Sequence, residues 1–176
     1  MSKDKKKNLI LFSVLAAALV GLDQMTKYLI TSGFELYEQR DVIEGFFSLN
    51  YVRNTGSAFS FLAEKSWGIY VLTGISLVMS VAIFYMLIKS VKVGNNLMST
   101  ALMLLFSGAV GNLIDRAFFR SVVDFLRFDF GKWTFPIFNV ADICAVVGTG
   151  LVIFALLFKN KEVDAIWEEV FGGHKS

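Results

Sequence analysis

The chain has 176 residues, of which 55% are hydrophobic and only 18% are charged, and its mean hydropathy is +0.59. Soluble domains carry about 25% charged residues, so this composition argues against a water-soluble globule and favours a membrane protein. The formal net charge of +2 arises from local clusters and gives no reason to expect a nucleic-acid partner. The length is usual for one domain, and we expect residues 1–176 to form a single integral membrane domain.

Four apolar stretches are long enough to cross a bilayer, because about 20 mostly apolar residues span a hydrocarbon core of ~30 Å. Two of them, residues 68–88 and 97–114, contain no charged side chain at all. The sequence therefore predicts four transmembrane helices, at about 9–30, 68–88, 97–116 and 139–158.

The first of these helices has an alternative interpretation. Lysines in residues 3–7 precede an apolar run, and the three alanines at 16–18 resemble the cleavage site of a signal peptide. However, the apolar pattern continues to Ile30 through Asp23 and Lys27. We therefore interpret this segment as a helix of the folded protein.

Basic residues near the helix ends predict how the chain is oriented in the membrane. With four helices, one side holds the lysine-rich N-terminal tail, the short link with Lys89 and Lys92, and the lysines after the last helix. The opposite loops, 31–67 and 117–138, also contain basic residues, so the bias is moderate. We expect a multi-pass protein with both termini in the cytoplasm and both longer loops outside.

Both outer loops have the composition of short strands rather than of plain linkers. Residues 34–61 combine aromatic and β-branched residues with glycine turn signals, and 125–135 has the pattern of a hairpin around Gly131. The predicted fold class is a membrane all-α four-helix bundle with a small extracytoplasmic β-sheet or hairpin region. Aromatic residues favour the membrane interface, so these loops are expected to contact membrane lipids.

The residue inventory excludes several chemistries. The only histidine, His174, lies in the C-terminal tail, which argues against a Ser-His-Asp triad and against a histidine-based zinc site. The only cysteine, Cys144, cannot form an internal disulfide and has no histidine base. We expect no metal and no cofactor, so the available chemistry is that of carboxylates, amides and a few bases.

Such residues gather near the predicted outer face, where ionisable groups at membrane depth are costly and usually functional or paired. They are Asp23, Lys27, Asn54, Asn112, Asp115, Arg116, Asp124, Asn139 and Asp142. A purely structural network, with Asp23 bound to Lys27 and Asp115 to Arg116, is one explanation. It does not extend to Asp142, which has no basic residue at helical spacing, nor to Asp124, which lies in a predicted outer loop rather than in a helix.

Five motifs together resemble those of lipoprotein signal peptidase (signal peptidase II), in the order of that family. They are Asp23-Gln-Met-Thr-Lys27, Asn54-Thr-Gly56-Ser-Ala58-Phe59, Gly111-Asn112-Leu-Ile-Asp115-Arg116, Val123-Asp124-Phe125 and Asn139-Val-Ala141-Asp142. The resemblance covers about residues 9–158, and no motif position departs from the family pattern.

The resemblance implies an aspartic endopeptidase of the bacterial cytoplasmic membrane, with its active site near the outer face. The implied partner is a prolipoprotein with a diacylglyceryl-modified cysteine. The enzyme cuts this substrate on the N-terminal side of that cysteine, and it is expected to be a monomer. By motif match the catalytic pair is Asp124 and Asp142. The substrate-binding or supporting positions are Asn54, Gly56, Asn112, Arg116, Asn139, Asp23, Lys27 and Asp115. The residues alone do not distinguish Asp124 from Asp115 or Asp129.

Two close carboxylates can share one proton and activate a water, because both cannot readily ionise. We therefore expect Asp124 and Asp142 to face one cavity, with a lid formed by the loop around residues 59–67. Two other functions are compatible with buried charges in membrane helices, a transporter or ion pathway and a non-enzymatic scaffold. The ionisable groups lie toward one face and no repeat is visible, which disfavours the transporter, and a scaffold leaves the two carboxylates without a role.

Overall fold

A computed structural model of the protein describes residues 2–56, 67–158 and 160–172. Its helices are α1 (Lys3–Gly33), α2 (Gly68–Val93), α3 (Asn96–Phe119), α4 (Val140–Phe158) and α5 (Asn160–Phe171). Its strands are β1 (Gln39–Ile43), β2 (Phe47–Asn54), β3 (Val122–Phe130) and β4 (Trp133–Thr134). This mostly helical architecture with a small antiparallel sheet confirms the predicted fold class.

Helices α1 to α4 are each long and apolar enough to cross a membrane. Large apolar side chains such as Val78, Val146 and Leu157 are more than half exposed, whereas Asp23 and Lys27 of α1 are buried inside. This distribution is the reverse of that in a soluble protein and is suited to a lipid surrounding. The burial of Asp23 and Lys27 also makes α1 part of the folded bundle.

The helices differ from the predicted spans at their ends. Three of them run beyond the predicted spans, because the residues at the bundle ends continue the helical hydrogen bonding. Helix α4 instead begins at Val140. The preceding Asn139 caps the helix through its side chain and therefore lies outside it.

Helix α3 packs against α1, α2 and α4, and glycines bring it very close to α4. A Cβ atom placed on Gly108 would lie 2.4 Å from the carbonyl oxygen of Ala141, and one on Gly148 would lie 2.8 Å from that of Ala101. Small residues of this kind allow the backbones of membrane helices to approach each other. The contact matters for the site described below, because α3 and α4 both contribute to it.

We expect Gly108→Ala to lower the free energy of unfolding by roughly 1–3 kcal/mol, the usual cost of overpacking, because the new methyl group meets backbone atoms of α4. Gly150→Ala is the matched control on α4, since a Cβ there has no atom within 4 Å. It should leave stability unchanged or raise it slightly. Thermal unfolding of both purified variants in detergent checks this, and equal stability of the two would contradict the close packing of α3 on α4.

The two outer loops form one antiparallel sheet in the order β1-β2-β3-β4. Strand β2 from the first loop pairs with β3 from the second, with Val52 opposite Asp124 and Asn54 opposite Val122. The sequence predicted strands in each loop but not this pairing between them. A small apolar cluster that includes Ile30, the last buried residue of α1, joins the sheet to the bundle.

The end of the bundle away from the sheet carries Lys5, Lys89 and Lys92. The Nζ atom of Lys5 contacts the carbonyl oxygen of Lys92, which brings the start of α1 to the end of α2. Helix α5 packs there through Ile166, which is buried, and Lys89 Nζ donates to the carbonyl oxygen of Glu169 at 3.0 Å. The predicted lid falls mostly on residues 57–66, which lie outside the described ranges.

Candidate active site

Asp142 lies in the first turn of α4, where a reciprocal pair of hydrogen bonds fixes it. The side-chain Oδ1 of Asn139 accepts from the backbone N–H of Asp142 at 3.0 Å. In return, Oδ2 of Asp142 accepts from the backbone N–H of Asn139 at 3.1 Å. This is the capping-box arrangement, in which two otherwise unpaired N–H groups of a helix start are satisfied together.

Asn139 also holds Asp124, and so connects the two aspartates. Its Nδ2 donates to Oδ1 of Asp124 at 2.7 Å, and lies 3.2 Å from the carbonyl oxygen of Val123 and 3.1 Å from Oδ1 of Asn112. The Asn139 side chain is fully buried, and Asp124 is only 3% exposed. One buried amide therefore ties the start of α4 to strand β3.

The second oxygen of Asp124 is held by the sheet. Asn54 Nδ2 donates to Asp124 Oδ2 at 2.9 Å, which the pairing of β2 with β3 makes possible. The orientation of the Asn54 amide is itself fixed, because its Oδ1 accepts from the N–H of Gly56 at 2.8 Å. Gly56 has a φ of +106°, a backbone conformation that residues other than glycine rarely adopt.

Asn112 and Arg116 approach the pair from α3. Asn112 Nδ2 donates to Asp142 Oδ1 at 2.8 Å. Arg116 donates to Ser76 at 3.4 Å and lies within electrostatic range of Asp142 and Asp124, but forms no ion pair within the part of the chain that the structure describes. The structure therefore does not contain the Asp115–Arg116 pair that the sequence allowed. Adjacent helix residues do not face each other.

Lys27 instead binds both remaining carboxylates. Its Nζ lies 2.8 Å from Asp23 Oδ2 and 3.1 Å from Asp115 Oδ2. The predicted contact of Asp23 with Lys27 is thus confirmed, and Asp115 is its second partner. The sequence pattern did not indicate a role for Gln24, whose Nε2 donates to Asp23 at 3.1 Å and to Asp115 at 3.0 Å. Its place between the two charged residues of the first motif was the available signal.

The prediction that both aspartates face one cavity is not met among the described residues, where the two border different spaces. Asp124 lines a cavity of about 450 Å³ together with Asn54, Pro136 and Ile137. Asp142 lies at an apolar groove of about 220 Å³. The other residues of this groove are Phe135, Phe138, Ile143, Val146 and Val147.

Burial raises the pKa of Asp124 from its ordinary value of 3.8 to about 6. The hydrogen bonds from Asn54 and Asn139 and the charge of Lys27 lower this pKa, whereas the charge of Asp142 raises it further. Asp129, five residues along the same strand, behaves in the opposite way, because the hydrogen bond from Arg127 lowers its pKa. Residues five apart point to opposite faces of a strand, so the two aspartates do not share a site.

We expect Asp124→Asn to gain stability relative to the unmodified protein as the pH rises. Because the pKa of Asp124 is raised on folding, its proton stabilises the native state fully below pH 3.8, and this stabilisation is lost as pH rises through about 6. A rise from 3.8 to about 6 corresponds to about 3 kcal/mol. The free energy of unfolding in detergent gives the change when it is measured for both proteins from about one pH unit below 3.8 to about one pH unit above 6.

The control is Asp129→Asn. Since the pKa of Asp129 is lowered, the same comparison should move in the opposite direction. A stability difference between Asp124→Asn and the unmodified protein that does not vary with pH would contradict the burial of an ionisable Asp124.

A family model described as Signal peptidase (SPase) II matches residues 15–158 of this sequence. The chain belongs to the signal peptidase II family. The lipoprotein signal peptidase of Actinobacillus succinogenes is 43% identical over 162 residues, which cover 92% of this chain and 98% of that protein. The lipoprotein signal peptidase of Enterococcus faecalis is 42% identical over 153 residues, 87% of this chain and 91% of that protein.

Two solved structures, both described as bacterial membrane enzymes, have the same fold. One superimposes with a TM-score of 0.74 at 34% identity, and the match covers 86% of this chain and 94% of the chain in that structure. The other has a TM-score of 0.68 at 32% identity, with 97% and 93% coverage. These likenesses support a multi-pass membrane protein.

Membership of the signal peptidase II family makes the chain a peptidase that acts in the processing of prolipoproteins. The transporter and scaffold hypotheses therefore do not hold. In the described ranges, no three histidine, cysteine or acidic side chains are grouped so that they could hold a metal ion.

Proposed function

We propose that this signal peptidase II is an aspartic endopeptidase that removes the signal peptide from diacylglyceryl-modified prolipoproteins. It would cut the peptide bond N-terminal to the modified cysteine, with Asp124 and Asp142 activating a water. The observation that carries the proposal is the position of Asn139, which binds Asp124 through its side chain and Asp142 through both side chain and backbone. Two carboxylates held by one buried residue support a pair that shares a proton, as this chemistry needs.

In the proposed reaction the pair shares one proton, which we place on Asp124 because burial raises its pKa. The ionised Asp142 accepts a proton from water as the water oxygen attacks the scissile carbonyl carbon. Asp124 donates its proton to the carbonyl oxygen, which gives a tetrahedral intermediate. The intermediate then collapses: one of its hydroxyl groups returns a proton to Asp124 as the carbonyl re-forms. The C–N bond breaks at the same time, and the cysteine nitrogen leaves with the proton that Asp142 took from the water. Arg116, whose charge acts on both Asp124 and Asp142, would stabilise negative charge on the carbonyl oxygen.

The two spaces beside the aspartates support the proposed substrate. The groove at Asp142 is apolar and lies along the face of α4 that includes Val146, which is 71% exposed. Acyl chains arriving from the bilayer would fit there. The cavity at Asp124 is lined by residues of β2 and by Pro136 and Ile137, and would take the peptide. The scissile bond would then lie where the bundle meets the sheet and water is available.

The orientation follows from the two ends of the bundle. The lysine-bearing end, with Lys5 next to Lys92, would face the cytoplasm together with both termini, in agreement with the positive-inside rule. The sheet and the aspartates would lie at the outer face of the bacterial cytoplasmic membrane. The exposed apolar faces of the helices would contact membrane lipids, and we propose that the enzyme is a monomer.

A cleavage assay with purified protein tests the proposal. The substrate is a prolipoprotein with a diacylglyceryl cysteine, and the matched control is the same prolipoprotein without the lipid. Mass spectrometry of the products should show cleavage of the modified substrate and a new amino terminus at the cysteine. No cleavage of the modified substrate would refute the proposed function, and equal cleavage of both would refute the lipid requirement.

A further inference from the structure

A buried charged cluster lies behind the two aspartates and is not used by the chemistry proposed for them. We call Lys27, Asp23, Asp115 and Gln24 the Lys27 cluster. The side chain of Lys27 is 4% exposed, and those of Asp23 and Asp115 are each 2% exposed. Charges inside a membrane protein are costly, and a well-packed apolar set would often be as stable. The cost suggests a role beyond holding α1 against α3.

Each carboxylate of the cluster binds a backbone N–H group next to one of the proposed catalytic residues. Asp115 Oδ2 accepts from the N–H of Val123 at 3.0 Å, and Val123 immediately precedes Asp124. Asp23 Oδ1 accepts from the N–H of Ala141 at 2.9 Å, and Ala141 immediately precedes Asp142. The two segments that carry the aspartates are thus held by two carboxylates that share one lysine.

Lys27 has a third partner that reaches Asp142 directly. Its Nζ donates to Oδ1 of Asn112 at 3.1 Å. Because an ammonium group can only donate, the amide oxygen of Asn112 must face it. The Nδ2 of Asn112 therefore points the other way, toward Asp142 Oδ1 at 2.8 Å.

We infer that the Lys27 cluster is a positioning device that sets the distance and orientation of Asp124 relative to Asp142. Lys27, Asp23 and Asp115 act through the backbone of β3 and α4 and through Asn112, without touching the substrate. The inference rests on the proposed function of the two aspartates. It predicts that the cluster controls the catalytic step and its pH dependence more than substrate binding.

The test compares Lys27→Met with the unmodified peptidase in the cleavage assay. The kcat should fall about 100-fold, as expected for a misplacement of about 1 Å at the reacting groups, while KM changes little. The pH profile should also move to higher pH, because Lys27 lowers the pKa of Asp124 and its removal raises it. The other charged groups that face Asp124, Asp142 on α4 and Arg116 on α3, are unchanged.

Ser107→Ala is the matched control. Ser107 of α3 is buried against α1, where it lies 3.5 Å from the carbonyl oxygen of Ala16, but it touches no member of the Lys27 cluster. It should leave kcat and the pH profile unchanged. If Lys27→Met does not fold in detergent, Asp115→Asn takes its place, since it removes one charge at nearly constant shape and should lower kcat with a displaced pH profile.

A folded Lys27→Met enzyme, or a folded Asp115→Asn enzyme in its place, with unchanged kcat and pH profile would overturn the inference. An equal loss of activity in Ser107→Ala would also overturn it, because the loss would then reflect helix packing in general rather than the Lys27 cluster. Failure of the proposed function has a different signature, since Asp124→Asn or Asp142→Asn would then still cleave the substrate.

Discussion

Asp124→Asn and Asp142→Asn should each lower kcat for prolipoprotein cleavage by about 1,000-fold or more, with the protein still folded. Each replacement removes one half of a pair that must hold one proton and accept another. Residues that act as a unit are not additive, so the double variant should be no slower than the slower single variant. Initial rates on the diacylglyceryl-modified substrate, at saturating concentration and fixed enzyme, provide the measurement.

Asp129→Asn is the control for this experiment, because Asp129 lies on the same strand but pairs with Arg127 at 3.0 Å on the other face. It should retain full activity. Near-normal turnover by either purified dyad variant would show that the reaction does not depend on this pair. A drop in the double variant equal to the product of the single drops would show two independent contributions rather than a shared proton.

The four membrane helices could be predicted from the sequence because hydropathy is a local property of the chain. Helix ends and caps are also local, and Asn139 three residues before Asp142 has the spacing of a capping box. What local pattern does not supply is the rotation of one helix against another. The second partner of Lys27 is Asp115 on α3, 88 positions away, and no spacing rule connects them.

The sheet illustrates the same limit. Strand composition is visible in both outer loops, but the pairing of β2 with β3 joins segments separated by all of α2 and α3. That pairing brings Asn54 to Asp124. The choice of Asp124 over Asp115 and Asp129 likewise came from the family motifs, because three aspartates in one stretch look alike until burial and partners separate them. Asp115 binds Lys27, Asp129 binds Arg127, and Asp124 accepts only from amides among the described residues.

Asn139 has two separable roles, and two substitutions should distinguish them. Asn139→Ala removes both the helix cap and the donor to Asp124, whereas Asn139→Ser keeps a side chain that caps helices well but cannot reach Asp124. We expect Asn139→Ala to lose about 1–3 kcal/mol of stability, because the N–H of Asp142 loses its acceptor. Asn139→Ser should recover about 1 kcal/mol of that loss.

Cleavage should not recover with stability. Both variants should lose about 100-fold in kcat, since neither holds Asp124 relative to Asp142. The hydrogen bond from Asn139 lowers the pKa of Asp124, so its loss raises that pKa, and the part of the pH profile that reports Asp124 should move to higher pH in Asn139→Ser. Thermal unfolding and the pH dependence of kcat, measured on the same preparations, provide the two readouts.

Asn95 offers a control with the same capping role at the other end of the bundle. Its Oδ1 accepts from the N–H of Met98 at 2.9 Å at the start of α3, far along the chain from either aspartate. Asn95→Ala should therefore cost about 1 kcal/mol of stability, as a lost cap does, and leave cleavage intact. If Asn139→Ser cleaved at the normal rate, capping of α4 would be its whole contribution. The amide link between the two aspartates would then be dispensable, and the shared-proton mechanism would lose its main structural support.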